Sequence, residues 1–393
     1  MRNSDENIIV VIDPGHGGEA LGGNIEDRIE RDINLITANA MKERLEEYEG
    51  ITVYLTRDNN TDIELTRKQR LEFAQKVDAD FLFSIHYNMS AEHTLFGSEV
   101  WICSYGDNYS QGKSFATIET DALSELGLFD RGIKTRLSKS GDEYYGILKY
   151  SQAYNIPAVI IEHCHLDEER DGSYWNEDSY INFGITDADC VAKYYHLSST
   201  TLGIDYSTYE YPIFDIPSSI CGPDETPPEF CNINLLNVDN TNMTAEVEIN
   251  AKDTDNYVQY YMYSLDNGYT YSRLEPWENR DSDTCIVELP LNPTKDLNVI
   301  FMVSNQYDLV TESNTLHIAH PPIPTTIVKE PETDEQTPVT TIEIDVAKKD
   351  NKINFFGLLL TFILLFLGIL ITCSCILHTK RKKKKRKKSN ENR

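Results

Sequence analysis

Basic residues are scarce in this 393-residue chain: 36 Lys and Arg stand against 64 Asp and Glu, a formal charge of -28. The body is more acidic still, because residues 380–393 concentrate ten of those cations around a single Glu. Phosphate recognition needs a basic face, so nucleic acid is excluded as a partner of the body. Cysteine is sparse too, eight residues without a Cys-x-x-Cys pair, which excludes a disulfide scaffold and a zinc ribbon. A local bridge is tolerable only between Cys221 and Cys231, which bracket the Pro-rich run Gly222 to Pro228.

Long apolar runs are missing except for one, Phe355 to Leu377, which carries no charge and exceeds the roughly 20 residues that cross a bilayer as a helix. With Lys380 to Lys388 directly after it, the positive-inside rule predicts a single-pass membrane protein with a cytoplasmic tail and an extracytoplasmic body. A leader is also lacking: Met1 to Asn7 is polar and the apolar residues behind it read as a strand, so export relies on a start upstream or on another route.

What is present begins with Ile8-Ile-Val-Val-Ile-Asp-Pro-Gly-His16-Gly-Gly18. Five β-branched residues stopped by Pro and Gly read as a buried strand that delivers a loop, and the loop carries His16. Glu30 follows, then a helical stripe of Leu35, Ala38, Met41, Leu45 and Tyr48. Thr52 to Leu55 is strand-like, and Leu71, Ala74 and Val77 stripe a second helix. Phe81 to Ile85 reads as a strand ending at His86, and Ser98 to Ile102 as another. Phe115, Ile118, Ala122 and Leu126 mark a third helix, and the strand Pro157 to Ile161 leads into Glu162. Such alternation predicts an α/β domain with helices packed on its sheet.

His16, Glu30 and His86 therefore fall at strand ends or beside them. Two imidazoles and a carboxylate with a fourth position open describe a catalytic zinc site rather than a structural one. Glu162, at the end of the last strand, is placed to take the proton of an attacking water. The neighbouring His163, Cys164 and His165 are read by strand alternation, with Glu162 and Cys164 on one face and both histidines on the other. The histidines are then packing groups rather than a second metal site. Arg57, Arg67 and Arg131 are read as solvated charges.

The ordered blocks Val-Ile-Asp-Pro-Gly-His16-Gly-Gly, Glu30-Arg-Asp-Ile-Asn-Leu, Leu-Thr-Arg57, Ser-Ile-His86-Tyr-Asn88, Gly97-Ser-Glu99-Val, Arg131-Gly-Ile-Lys and Pro157-Ala-Val-Ile-Ile-Glu162 resemble the zinc-dependent N-acetylmuramoyl-L-alanine amidases of bacterial cell walls. The resemblance covers residues 7–203. It implies a mixed sheet flanked by helices, Zn2+ on His16, Glu30 and His86, Glu162 as catalytic carboxylate, and peptidoglycan as substrate. His163-Cys-His-Leu-Asp167 departs from the family, which usually continues Gly-Phe toward an Asn. Two other readings use the same residues: an inactive wall-binding surface protein, and a different zinc hydrolase, a peptidase or deacetylase, acting on the wall.

Beyond Leu202 the composition changes. Residues 204–229 read as a linker. Residues 230–319 hold short alternating strands separated by turns such as Asp266-Asn-Gly268, which predict a smaller all-β sandwich resembling immunoglobulin or fibronectin type III modules, a spacer or a wall-binding unit. Residues 320–354, rich in Pro, Thr and Glu, are expected to be an unfolded stalk ahead of the span at 355–377 and the tail at 378–393.

Overall fold

The computed structural model describes residues 7–58 and 63–321. The first half is a six-stranded sheet with helices on both faces. Its elements are β1 (Ile8–Pro14), α1 (Glu30–Leu45), β2 (Ile51–Leu55), α2 (Arg67–Lys76), β3 (Phe81–Asn88), β4 (Ser98–Ile102), α3 (Gly106–Glu125), β5 (Asp130–Lys134), α4 (Gly146–Tyr154), β6 (Ala158–His165) and α5 (Glu177–Tyr194). The strand order is β2-β1-β3-β6-β4-β5. β1, β2, β3 and β6 run parallel, while β4 pairs antiparallel with β6 and parallel with β5, so the sheet is mixed.

The apolar run of β1 is explained by its position. Val10 and Ile12 face the core under α1, α3 and α5, while Val11 faces a second core with Leu71, Leu82 and Leu148. A parallel strand buried on both faces has no solvent side on which to place polar residues. The helices are capped and charged as their ends require. α1 has Glu30 and Asp32 in its first turn and Lys42 and Arg44 in its last, which complements the helix dipole. α2 begins with a capping box between Thr66 and Gln69.

Parallel order has a functional consequence. β1, β3 and β6 end on the same edge, so their carboxyl ends bring the His16 loop, His86 and Glu162 together.

The β domain follows with β7 (Phe230–Asp239), β8 (Thr244–Lys252), β9 (Val258–Ser264), β10 (Thr284–Pro290), β11 (Leu297–Asn305), β12 (Val310–Glu312) and β13 (Leu316–Ile318). One antiparallel sheet is β7-β8-β10; in the other β11 pairs with β9, β12 and β13. Val247, Ile249, Val299 and Phe301 share one apolar core around Trp277. Between the domains Tyr206, Tyr209 and Tyr211 pack on the α/β core, and the Tyr211 hydroxyl donates to the Tyr194 carbonyl at 2.9 Å.

Three expectations change here. Cys221 and Cys231 do not pair: Cys231 is buried in the β core, whereas the Cys221 amide donates to the Ser104 carbonyl of the α/β domain. Arg57 and Arg131 are not solvated, being 3% and 2% exposed. The expected single-pass membrane localisation is overturned as well, since no helix among the described residues is long and apolar enough to cross a membrane. The longest, α3, is amphipathic, with Asp107, Lys113, Glu119, Asp121 and Glu125 along its length. The predicted span at 355–377, with the stalk from residue 322 and the tail, lies outside the described residues.

Candidate active site

The His16 loop is shaped by its backbone and held by buried cations. His16 itself is in the left-handed region at φ 62°, followed by Gly17 at 141° and Gly18 at 55°. A non-glycine residue there is strained and persists only when its surroundings hold it. Arg70 does so, donating to the Asp13 carboxylate at 2.5 Å, to the Pro14 carbonyl at 2.9 Å and to the His16 carbonyl at 2.5 Å. Arg57 donates to the Pro14 and Gly15 carbonyls at 3.0 and 2.9 Å, and the Asn34 amide to the Gly15 carbonyl at 3.2 Å. Sequence reading missed Arg70, although it lies beside Leu71 in the buried stripe of α2.

The three sequence-predicted ligands converge. His16 Nε2 lies 3.1 Å and His86 Nδ1 2.8 Å from the same oxygen, Glu30 Oε1. The other oxygen, Oε2, accepts the Gly23 amide at 2.6 Å, which orients the carboxylate. Burial alone would raise the Glu30 pKa, but hydrogen bonds from His16 and His86 outweigh it and hold the carboxyl well below its ordinary range. Glycines keep the space: a Cβ on Gly15 would collide with the His86 ring, and one on Gly22 with Glu30 and His16. A small cleft between Ala20, Leu65, Arg67 and Ile147 opens onto both imidazoles.

Glu162 stands one strand away. It is the cross-strand partner of His86 on one side and of Glu99 on the other. Its Oε2 is enclosed without a hydrogen-bond partner. Burial pushes its pKa well above the usual carboxyl range, and the carboxylates of Glu30 and Glu99 add to that.

Alternation fails immediately after it. Between the pairs His86/Glu162 and Asn88/His165, β6 contains one residue more than β3, a β-bulge. Cys164 consequently joins His163 on the face under α1 and α5, where Ile161 and Tyr180 also lie. His165 instead sits near Glu99 and Arg131, with Nδ1 3.2 Å from the Gly97 carbonyl; burial and the Arg131 charge drive its pKa down to about 3.

Glu99, quoted in the motif without a role, centres a buried ion network. Its Oε2 accepts from Arg131 at 2.9 Å and Lys134 at 2.7 Å; its Oε1 accepts from Asn88 at 2.9 Å and Trp101 at 3.0 Å. Burial opposes its ionisation, but Lys134 and Arg131 keep the carboxyl well below its usual range. The β domain reaches the same network: Arg131 donates to the Tyr260 hydroxyl at 2.8 Å and pairs with Asp308 at 3.1 Å, while Tyr260 donates to the Phe96 carbonyl at 3.0 Å.

The first half of the chain is similar to known proteins. The family model described as N-acetylmuramoyl-L-alanine amidase matches residues 10–190. The N-acetylmuramoyl-L-alanine amidase LytC of Bacillus subtilis is 28% identical over 183 residues, covering 46% of this chain. The amidase CwlM of Bacillus licheniformis is 38% identical over 200 residues, 50% of this chain. The solved catalytic domain of CwlV from Bacillus (Paenibacillus) polymyxa is 27% identical, covers 48% of this chain and 98% of that one, and has a TM-score of 0.41. The chain spans only 34% of the length of LytC but 72% of CwlM. With the CwlM match extending over so much of that protein, the chain belongs to the N-acetylmuramoyl-L-alanine amidase family.

Proposed function

We propose that residues 7–203 hydrolyse the amide between N-acetylmuramic acid and the L-alanine of peptidoglycan stem peptides, using Zn2+ held by His16, Glu30 and His86 with Glu162 as catalytic carboxylate. The observation that carries this reading is the approach of His16 Nε2 and His86 Nδ1 to one oxygen of Glu30, one strand from an enclosed and unpartnered Glu162 oxygen. The donor set suits zinc, and the glycines at 15 and 22 keep open a cradle that any Cβ would fill.

Bound there, zinc supplies Lewis acidity toward the scissile carbonyl and lowers the pKa of water. The chain supplies the rest. The Gly23 amide holds Glu30 by Oε2 and leaves Oε1 for the metal. Arg57 and Arg70 hold the loop that presents His16. Glu162 accepts a proton from the attacking water and returns it to the leaving alanine amine, a role favoured by burial that raises its pKa above the ordinary carboxyl range. The β domain, read as an immunoglobulin-like or fibronectin-like sandwich, supports the network around Glu99 and is more than a spacer.

The test is Glu162→Gln in the full chain on purified peptidoglycan. Zinc content should match wild type while release of stem peptides, identified by mass spectrometry, falls to background. Turnover at the wild-type rate would remove Glu162 from the chemistry; products cut within the peptide, or freed acetate, would make the enzyme a peptidase or a deacetylase.

A further inference from the structure

A second group of metal donors lies on the opposite face of β6. Glu119 on α3, His163 on β6 and Asp187 on α5 are each 0% exposed, and their ligand atoms all lie within 4.8 Å of one another. Both oxygens of Glu119 are enclosed and make no hydrogen bond. Asp187 and the Cys190 thiol stand close enough to perturb that carboxyl, yet neither meets it in normal hydrogen-bond geometry. Cys190, three positions after Asp187 on α5, is also buried, but its thiol is held by the Ile118 carbonyl at 3.7 Å.

The imidazole is arranged for a ligand. His163 Nδ1 lies 3.1 Å from the backbone carbonyl of His86, an acceptor, so Nδ1 carries the ring proton there. In the neutral ring Nε2 is then a lone pair, and it faces the Asp187 carboxylate at 3.0 and 3.1 Å. With acceptors at both ring nitrogens and a second carboxylate beside them, the cluster calls for positive charge at Nε2, which either a proton or a bound cation supplies. Donation of the other ring N–H to a backbone carbonyl is also how protein-bound metals orient their histidines.

We propose that Glu119, His163 and Asp187 form a second, structural site for a divalent metal of the zinc class, buried under the catalytic sheet. Three fully buried donors with no route for substrate suit a structural ion, and the two carboxylates neutralise a dication. With every donor fully buried, the ion enters as the domain folds and ties α3 and α5 to β6 directly behind His86. This proposal does not depend on the catalytic metal, which lies on the other face of the strand.

Metal analysis of the full chain produced with zinc tests it. Two ions per chain are expected, falling to one in His86→Ala, to one in Asp187→Asn and to none when both are changed. The near-isosteric Glu119→Gln should likewise lose one ion, which reads the site even if Asp187→Asn misfolds. A single ion lost with His86→Ala, or a metal content unchanged by Asp187→Asn and Glu119→Gln, overturns the second site and leaves a proton shared between Glu119 and Asp187. A single ion retained in His86→Ala and lost in Asp187→Asn supports the second site and removes the catalytic one instead.

Discussion

Glu162 is the direct cross-strand partner of His86, the two facing each other between β6 and β3, with Glu99 opposite Glu162 on its far side. A proposed ligand, a proposed base and a buried ion network thus occupy one row across three strands. Movement of any strand in register would separate them, which is why residues that touch no substrate are expected to affect the site.

Gly15→Ala is such a change. Its new Cβ would collide with the His86 ring. Metal binding should weaken on the order of 10–100-fold, the range seen when a ligand's support is disturbed. Circular dichroism should stay native while competition with a chelator reports the loss; unchanged affinity would show that the ring has room to move.

Glu99→Gln leaves Arg131 and Lys134 buried without their shared carboxylate. Removing one partner from a buried ion cluster costs about 3–5 kcal/mol. Urea unfolding at neutral pH should show a loss of that order, and a loss below about 1 kcal/mol would mean that solvent or Asp308 compensates.

Tyr260→Phe tests the coupling of the two domains. The lost hydroxyl accepts from Arg131 and donates to the Phe96 carbonyl, both inside the interface. A destabilisation of about 1–3 kcal/mol is expected, read from both domains in one cooperative transition. If fluorescence and circular dichroism separate into two transitions already in wild type, the domains fold independently and the coupling argument fails.

Asp171 gives a pH dependence of defined sign. Burial raises its pKa to about 6, against opposing hydrogen bonds from the His165 and Gly97 amides. The folded state therefore binds this proton more tightly than the unfolded state. The stability it contributes is complete below pH 3.8 and is lost as pH rises through about 6. Asp171→Asn keeps an acceptor for both amides, so its stability relative to wild type should increase by up to about 3 kcal/mol between pH 4 and pH 7. A flat difference across that window would place the folded pKa at its ordinary value.

Much of the architecture and the first site was legible in the sequence because the signals are local. In the α/β domain, apolar runs and stripes marked β1 to β4, β6 and α1 to α3 but not β5, α4 or α5, and His16, His86 and Glu162 each followed such a run, so a parallel sheet had to place them on one edge. The side-chain directions after Glu162 were not legible: alternation is broken by the bulge in β6, and a bulge depends on the partner strand's register. Arg57 and Arg131 read as solvated charges because burial of an arginine depends on acceptors elsewhere in the chain, the Pro14 and Gly15 carbonyls for one and Glu99 with the β domain for the other.

The sequence by itself determined five of the six strands and three of the five helices of the α/β domain, the acidic body, the change to an all-β second domain and the identity of the proposed catalytic donors, all carried by residues near one another in the chain. Only the tertiary structure decided which distant groups meet. Glu119, His163 and Asp187 come from three elements with no shared motif, and Arg131 meets Asp308 only because the β domain docks where it does. Convergence of that kind is set by packing across the sheet and between domains, where positions far apart in sequence share one dry volume and must satisfy each other's charge.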